Sequence, residues 1–286
     1  MTFYLKTPAQ APEFFIFMPS TFYLAVFKQT ADMNNRTVLI TGATSGIGLA
    51  TARLLAQNGF RLIITGRRKD RLEQISMELG ALTEVHALAF DVRDREAVQR
   101  AVDVLPAGFS SIDVLINNAG NAHGFDPIQE GNPDDWDAML DINVKGLLYV
   151  SKAIIPQMTS RRQGHIINIG SIAGKEVYPK GNVYCASKYA VDAINKGMLL
   201  DLNPYGIKVT AINPGLVETE FSVVRFKGDD ERASQVYKGL TPLKGEDVAN
   251  VILFALQLPA HVNISDLVLL PTDQASATVV RREEQA

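Results

Sequence analysis

From Val38 onward, short uninterrupted apolar runs alternate with longer amphipathic stretches, and this alternation limits the available folds to very few. The runs are Val38-Leu39-Ile40, Leu62-Ile63-Ile64, Val85 to Phe90, Val114-Leu115-Ile116, Ile166 to Ile169, Val209 to Ile212 and Leu267 to Leu270. None alternates apolar with polar residues, so they predict about seven strands buried on both faces. Between them, Gly48 to Asn58, Arg71 to Leu79, Arg95 to Leu105, Asp134 to Gln157, Ala186 to Asn203 and Gly245 to Leu258 carry apolar residues at helical spacing. Strands that alternate with helices imply right-handed crossovers and one α/β domain built on a doubly wound parallel sheet. A chain of 286 residues is long enough to bury the core such a sheet needs.

Composition removes several other classes. With 47% hydrophobic and 21% charged residues, the chain is neither disordered nor fibrous nor a multi-span membrane protein. A net charge of -3 gives no reason to expect a nucleic-acid or membrane partner. Cys185 is the only cysteine and the four histidines, His86, His123, His165 and His261, are scattered. No disulfide and no metal site is expected, and the cysteine usage fits the cytoplasm. Beside the tyrosine that precedes it, Cys185 points elsewhere around the helix and reads as packing.

Residues 1–32 differ from the rest, holding eight of the chain's 21 phenylalanines and tyrosines. Between Glu13 and Lys28 no charge occurs, yet Pro19 interrupts the run and its fourteen residues are too few for a membrane span. The flanks do not match a secretory signal. The segment is expected to be a poorly ordered extension ahead of a domain covering residues 33–286.

The first strand leads into Thr41-Gly42-Ala43-Thr44-Ser45-Gly46-Ile47-Gly48 and then directly into a helix. Three glycines at such a turn let the backbone approach a pyrophosphate, which the helix N-terminus attracts; an ordinary βα loop is the plainer alternative. The second strand ends at Thr65-Gly66, followed by Arg67-Arg68 where an NAD-binding protein would place an acid. Paired guanidiniums suit a 2′-phosphate, so NADP is the expected cofactor, against the alternative of a solvated basic helix start. After the third strand, Asp91-Val92 either receives the adenine or caps the next helix.

Further on, Asn117-Asn118-Ala119-Gly120 closes the fourth strand, Ser171 follows the fifth, and Tyr184 and Lys188 stand at i and i+4 on one helix face. A phenol with a pKa of about 10 needs a neighbouring cation to act as a base near neutrality, and Lys188 is placed to be one. A serine hydroxyl can donate to a carbonyl or accept from an alcohol.

Taken together, these motifs with Asn143 in Asn143-Val144-Lys145-Gly146 and with Pro214-Gly215 resemble the short-chain dehydrogenase/reductase family, from residue 36 to about 275. The resemblance implies a Rossmann-type domain, with Tyr184 as general acid and base and Ser171 holding the substrate oxygen. It further implies that Lys188 binds the nicotinamide ribose and lowers the tyrosine pKa, and that Asn143 anchors a water in the proton relay. The cofactor set it implies is Gly42, Thr44, Ser45, Gly46, Ile47, Gly48, Arg67, Arg68, Asp91, Val92, Asn118, Ala119, Gly120, Tyr184, Lys188, Pro214, Gly215, Val217 and Thr219. A homotetramer is implied as well. Gly215 to Asp229 and Pro271 to Ser276 look like the NADP-dependent subgroup acting on serine, allo-threonine and 3-hydroxypropionate. In that reading Ser171, Tyr184 and Arg225 hold the substrate, with Arg225 or Lys227 meeting its carboxylate. A 3-oxoacyl-thioester or general carbonyl reductase is the alternative enzyme. A non-catalytic NADP-binding module is disfavoured, since Ser171, Tyr184 and Lys188 are all present.

Overall fold

Every one of the seven apolar runs forms a strand, because each is long enough to cross a sheet and has a helix to cover it. The computed structural model describes residues 35–283. The expected extension over 1–32 and the first residues of the expected domain lie outside the described residues. The strands are β1 (Thr37–Ile40), β2 (Arg61–Gly66), β3 (Val85–Ala89), β4 (Val114–Asn117), β5 (His165–Ile169), β6 (Lys208–Pro214) and β7 (Asp266–Leu269). They make one parallel sheet in the order β3-β2-β1-β4-β5-β6-β7. Val38 pairs with Leu62 on one side and with Val114 on the other, so the chain reverses its winding between β1 and β4. In an open α/β sheet, that reversal opens a crevice beyond the carboxyl ends of the strands.

Side chains alternate between the faces along a strand, and two helical layers receive them. Val38 and Ile40 face α1 (Gly46–Gln57), α2 (Lys69–Gly80) and α9 (Gly245–Gln257) through residues such as Leu55, Leu72 and Ile252. Leu39 and Leu115 face α3 (Arg95–Asp103), α5 (Leu147–Arg161) and α6 (Asn182–Leu202) through Val98, Ile154 and Val191.

The sequence reading needs two corrections here. Burial on both faces holds for β1, β4 and β5, whereas β3 is half-buried and β7 alternates between exposed and half-buried residues, because both are sheet edges. The single helix expected from Asp134 to Gln157 is three pieces: α4 (Pro133–Leu140), a π-helical turn at Asp141–Gly146, and α5. Apolar spacing runs through the widened turn, so periodicity cannot reveal it. Such turns often occur at functional sites, and this one carries Asn143. Two short helices follow β6: α7 (Phe221–Arg225), which forms a lid along the crevice, and α8 (Asp230–Gln235), which packs beside it.

Candidate active site

A cleft of about 670 Å³ runs across the carboxyl ends of the strands, from the glycine turn and Arg67 at one end to Tyr184 and Arg225 at the other. The turn after β1 can only be built with glycine at two places. Gly42 has φ +66° and Gly46 φ +53°, in the left-handed region. At Gly48, in ordinary helical backbone, a Cβ would collide with Asn118 Nδ2 and the carbonyl of Gly42. The end of β4 is stitched to this turn. Thr41 Oγ1 accepts from the Asn118 and Ala119 amides at 3.0 Å each, and Asn118 Nδ2 donates to the carbonyls of Thr41 at 2.9 Å and Gly42 at 3.1 Å. Asn118 thus shapes the floor of the cradle. Ser45 precedes α1 without a side-chain cap, and the first turn carries no acid. Its leading N–H groups and positive dipole end therefore suit an anion.

At the neighbouring wall, Arg68 Nη2 donates to Thr44 Oγ1 at 3.0 Å and Ser45 Oγ at 3.1 Å. Arg67 Nη1 lies 3.9 Å from Asp91 Oδ2. Both guanidiniums are about half exposed, at 58% for Arg67 and 48% for Arg68. Asp91 is held by Arg93, whose Nη2 donates to Oδ2 at 2.7 Å, and the cap of α3 is Asp94, which accepts from Glu96 and Ala97. The helix-cap alternative for Asp91 is thereby excluded. Asp91 and Val92 line the cleft. A glycine cradle beside two guanidiniums fits a dinucleotide that bears a 2′-phosphate.

Toward the other end the environment dries. β5 delivers Ser171, whose Oγ accepts from the Ala173 amide at 3.1 Å and so opens the short turn Ile172–Gly174. The first turns of α6 present Tyr184 and Lys188, only 8% and 7% exposed. Lys188 Nζ donates to the Ile169 carbonyl at 3.0 Å and sits 6.0 Å from the centre of the Tyr184 ring. Burial pushes the Tyr184 phenol well above its ordinary value, aided by Tyr178 and opposed by Ser171 and Arg225. Burial also pushes the Lys188 ammonium down to about 8. Desolvation dominates the phenol here, with the Lys188 ammonium turned to a backbone carbonyl and 6.0 Å from the centre of the ring.

Asn143 sits in the π-helical turn with its side-chain amide fully engaged. It is buried, takes the Asn121 amide at 2.8 Å on Oδ1, and donates through Nδ2 to the Asn121 carbonyl and Ser187 Oγ. Its amide is spent on fastening the cleft wall, so any anchoring of water would fall to the backbone of the π turn.

The lid completes the site. Pro214, Gly215, Val217 and Thr219 line the cleft, and a Cβ at Gly46 would touch the Thr219 side chain. Arg225 Nε donates to the Gly124 carbonyl at 3.1 Å and Nη1 to the Tyr178 hydroxyl at 3.0 Å. Its guanidinium carbon stands 4.7 Å from the Phe125 ring centre and 5.7 Å from that of Tyr184. Lys227 is placed differently: it pairs with Asp135 at 2.9 Å and does not line the cleft. Cys185 is buried and its thiol pushed up by burial.

Sequence reasoning gave no individual role to Phe125, Tyr178, Glu220 or Phe221, all on the cleft wall, although the last two lie in the Gly215 to Asp229 segment it singled out. Phe221 meets the Tyr184 ring edge-on with centres 5.6 Å apart. No spacing signal marks these four, because they come from irregular segments and a five-residue helix. It also gave Gln274 no role, although the buried Oε1 of this residue accepts from the Leu216 amide at 2.8 Å and fastens the root of the lid.

Comparison with known proteins agrees with this geometry. A model described as short chain dehydrogenase matches residues 36–230. A Salmonella typhi protein named NADP-dependent 3-hydroxy acid dehydrogenase YdfG is 46% identical over 241 residues, covering 84% of this chain and 96% of the relative. Sulfoacetaldehyde reductase 2 of Chromohalobacter salexigens is 45% identical over 248 residues, covering 86% of this chain and 98% of its own. The closed form of a serine dehydrogenase complexed with NADP+ superposes with a TM-score of 0.82 at 43% identity, over 87% of this chain and 100% of that one. The chain belongs to the short-chain dehydrogenase family, and it is an oxidoreductase acting on alcohol groups.

Proposed function

We propose that the protein is an NADP-dependent oxidoreductase that interconverts a small 3-hydroxy acid, such as serine, allo-threonine or 3-hydroxypropionate, with the corresponding 3-oxo acid. The observation that carries the substrate class is Arg225. A guanidinium stacked on Phe125 and hydrogen-bonded to Gly124 and Tyr178 is a fixed positive charge beside the catalytic tyrosine. Only some of its five N–H donors are used by those bonds. A three-carbon acid whose 3-oxygen lies between Ser171 and Tyr184 would extend its carboxylate toward that charge.

The residues divide the work. When bound, NADP supplies the acceptor or donor of the hydride. Ser171 orients the substrate oxygen, and Tyr184 takes the hydroxyl proton in oxidation or returns one in reduction. Lys188, a buried cation, offsets phenolate charge and is placed to meet the cofactor ribose. The glycine turn and the Arg67-Arg68 pair hold the pyrophosphate and the 2′-phosphate.

The relative named sulfoacetaldehyde reductase supports a second reading, because a two-carbon sulfonate places an anion at a similar reach from its oxygen. A neutral acyl thioester would leave Arg225 without a charged partner. No helix among the described residues is long and apolar enough to cross a membrane. A cytoplasmic location, which the cysteine usage fits, and a homotetramer, which rests on the family likeness alone, complete the proposal.

An assay of the purified protein following nicotinamide absorbance separates these readings. Serine, allo-threonine, 3-hydroxypropionate, malonic semialdehyde, sulfoacetaldehyde, an acetoacetyl thioester and a neutral aldehyde form the panel. The carboxylates should lead in kcat/KM. A lead for sulfoacetaldehyde would transfer the reading to sulfonates, and a lead for the thioester or the neutral aldehyde would overturn it.

A further inference from the structure

At the nucleotide end, one acidic side chain bridges the lid to the opposite wall of the cleft. Glu220 stands just before α7, and its carboxylate accepts from Arg71 Nη1 at 2.8 and 3.1 Å and from Arg68 Nη1 at 3.2 Å. Arg71 lies in the first turn of α2, about 150 residues earlier in the chain, and also reaches the Thr44 carbonyl at 3.4 Å. Arg68 is meanwhile fixed across the glycine turn by Thr44 and Ser45. The far end of the lid is pinned separately, by Arg225 on Gly124 and Lys227 on Asp135. Its root is held by Gln274. The Glu220 pairs thus tie the start of α7 to the wall where a dinucleotide's adenosine half would lie, while Glu218, two residues earlier, pairs with Lys244 beside α9.

We propose that Glu220 is a latch residue that closes the lid over the bound dinucleotide through Arg71 and Arg68, and that it controls how tightly the cofactor is held without taking part in the chemical step. Charge balance agrees with this. With Arg93 offset by Asp91, the net contribution of Arg67, Arg68 and Arg71 is three positive charges, while a phosphate monoester carries about -1.5 to -2 near neutral pH. One guanidinium charge remains for a carboxylate after the phosphate is bound. Arg71 is the natural holder of Glu220, because it makes the two shorter contacts to the carboxylate, whereas Arg68 is also engaged by Thr44 and Ser45 and Arg67 faces Asp91. The inference rests on the dinucleotide reading of the cleft and is independent of the substrate.

Glu220, Arg68 and Arg71 are all partly exposed, so the latch is a solvated ion pair and its effect is moderate and salt-sensitive. Glu220→Gln, Arg71→Met and the double variant should be compared with the unmodified protein by fluorescence titration of NADPH and NADH without substrate. Limited proteolysis of the lid, with and without NADPH, is the second readout. Each single variant should weaken both cofactors about fivefold. The double variant should be no weaker than either single one, the lid should be cut faster, and kcat should not fall. In the unmodified protein, added salt should raise the proteolysis rate toward that of Glu220→Gln, whose own rate should hardly move.

Dissociation constants within twofold of the original for both cofactors, additive single effects, or a loss of kcat would each overturn the proposal. A loss confined to NADPH would also overturn it, by assigning Glu220 to recognition of the 2′-phosphate through Arg68. If the unmodified protein bound neither dinucleotide, the cofactor reading itself would fail, whereas failure on every 3-hydroxy acid would leave these titrations untouched.

Discussion

At one end of the cleft Arg67 and Arg68 are about half exposed and work in high dielectric, while at the other Tyr184 and Lys188 are almost wholly buried. The same kind of group behaves differently in the two settings. The exposed arginines keep their charges, share them among Thr44, Ser45, Asp91 and Glu220, and remain open to screening by salt. The buried pair pays desolvation, which moves phenol and ammonium toward their neutral forms. Recognition of a charged cofactor can therefore be spread over several modest contacts. Proton transfer needs a single group in a dry place, where a neighbouring charge acts strongly.

The largest expected effect tests the dry end. Tyr184→Phe removes the proton donor and little packing, so turnover should fall ~10²–10⁴-fold while NADPH titration stays near normal. A variant that kept turnover within a few-fold would break the assignment. At the wet end, Arg67→Ala with Arg68→Ala should raise the KM for NADPH about thirty- to a hundredfold and that for NADH far less. That is below the full value of two charge-assisted bonds, because solvent already screens both guanidiniums. Equal changes for the two cofactors would remove the contrast.

Between these ends lies Arg225, half-buried and stacked on aromatic rings. Arg225→Met should raise the KM for serine or 3-hydroxypropionate about tenfold while sparing a neutral aldehyde. An equal loss on charged and neutral substrates would mean that the variant had released the lid from Gly124 and Tyr178 instead of removing a carboxylate partner.

Much of the site was legible because its motifs are local. The turn from Thr41 to Gly48 must bend tightly and start a helix, so its glycines carry the signal in a few consecutive residues. The Tyr184 and Lys188 pair lies one helical turn apart. The lid was harder to read. Lys227 and Arg225 are two residues apart and equally cationic, yet one turns outward to Asp135 and the other inward to Tyr178. Residues 224–228 carry no sustained periodicity that would separate the two directions. Glu220 was invisible because its meaning depends on Arg68 and Arg71, brought to it by the sheet order.

The sequence by itself determined the seven strands, their helical covers and the identity of the residues at the strand ends, because apolar periodicity and backbone demands at tight turns act over a few neighbours. Only the tertiary structure decided which strands became edges, where the helix beyond Asp134 widened into a π turn, and how deeply each charge is buried. Those outcomes follow from which distant segments pack together. Desolvation, the quantity that separates the Tyr184 end from the Arg67 end, is a property of the assembled surroundings and not of any residue alone.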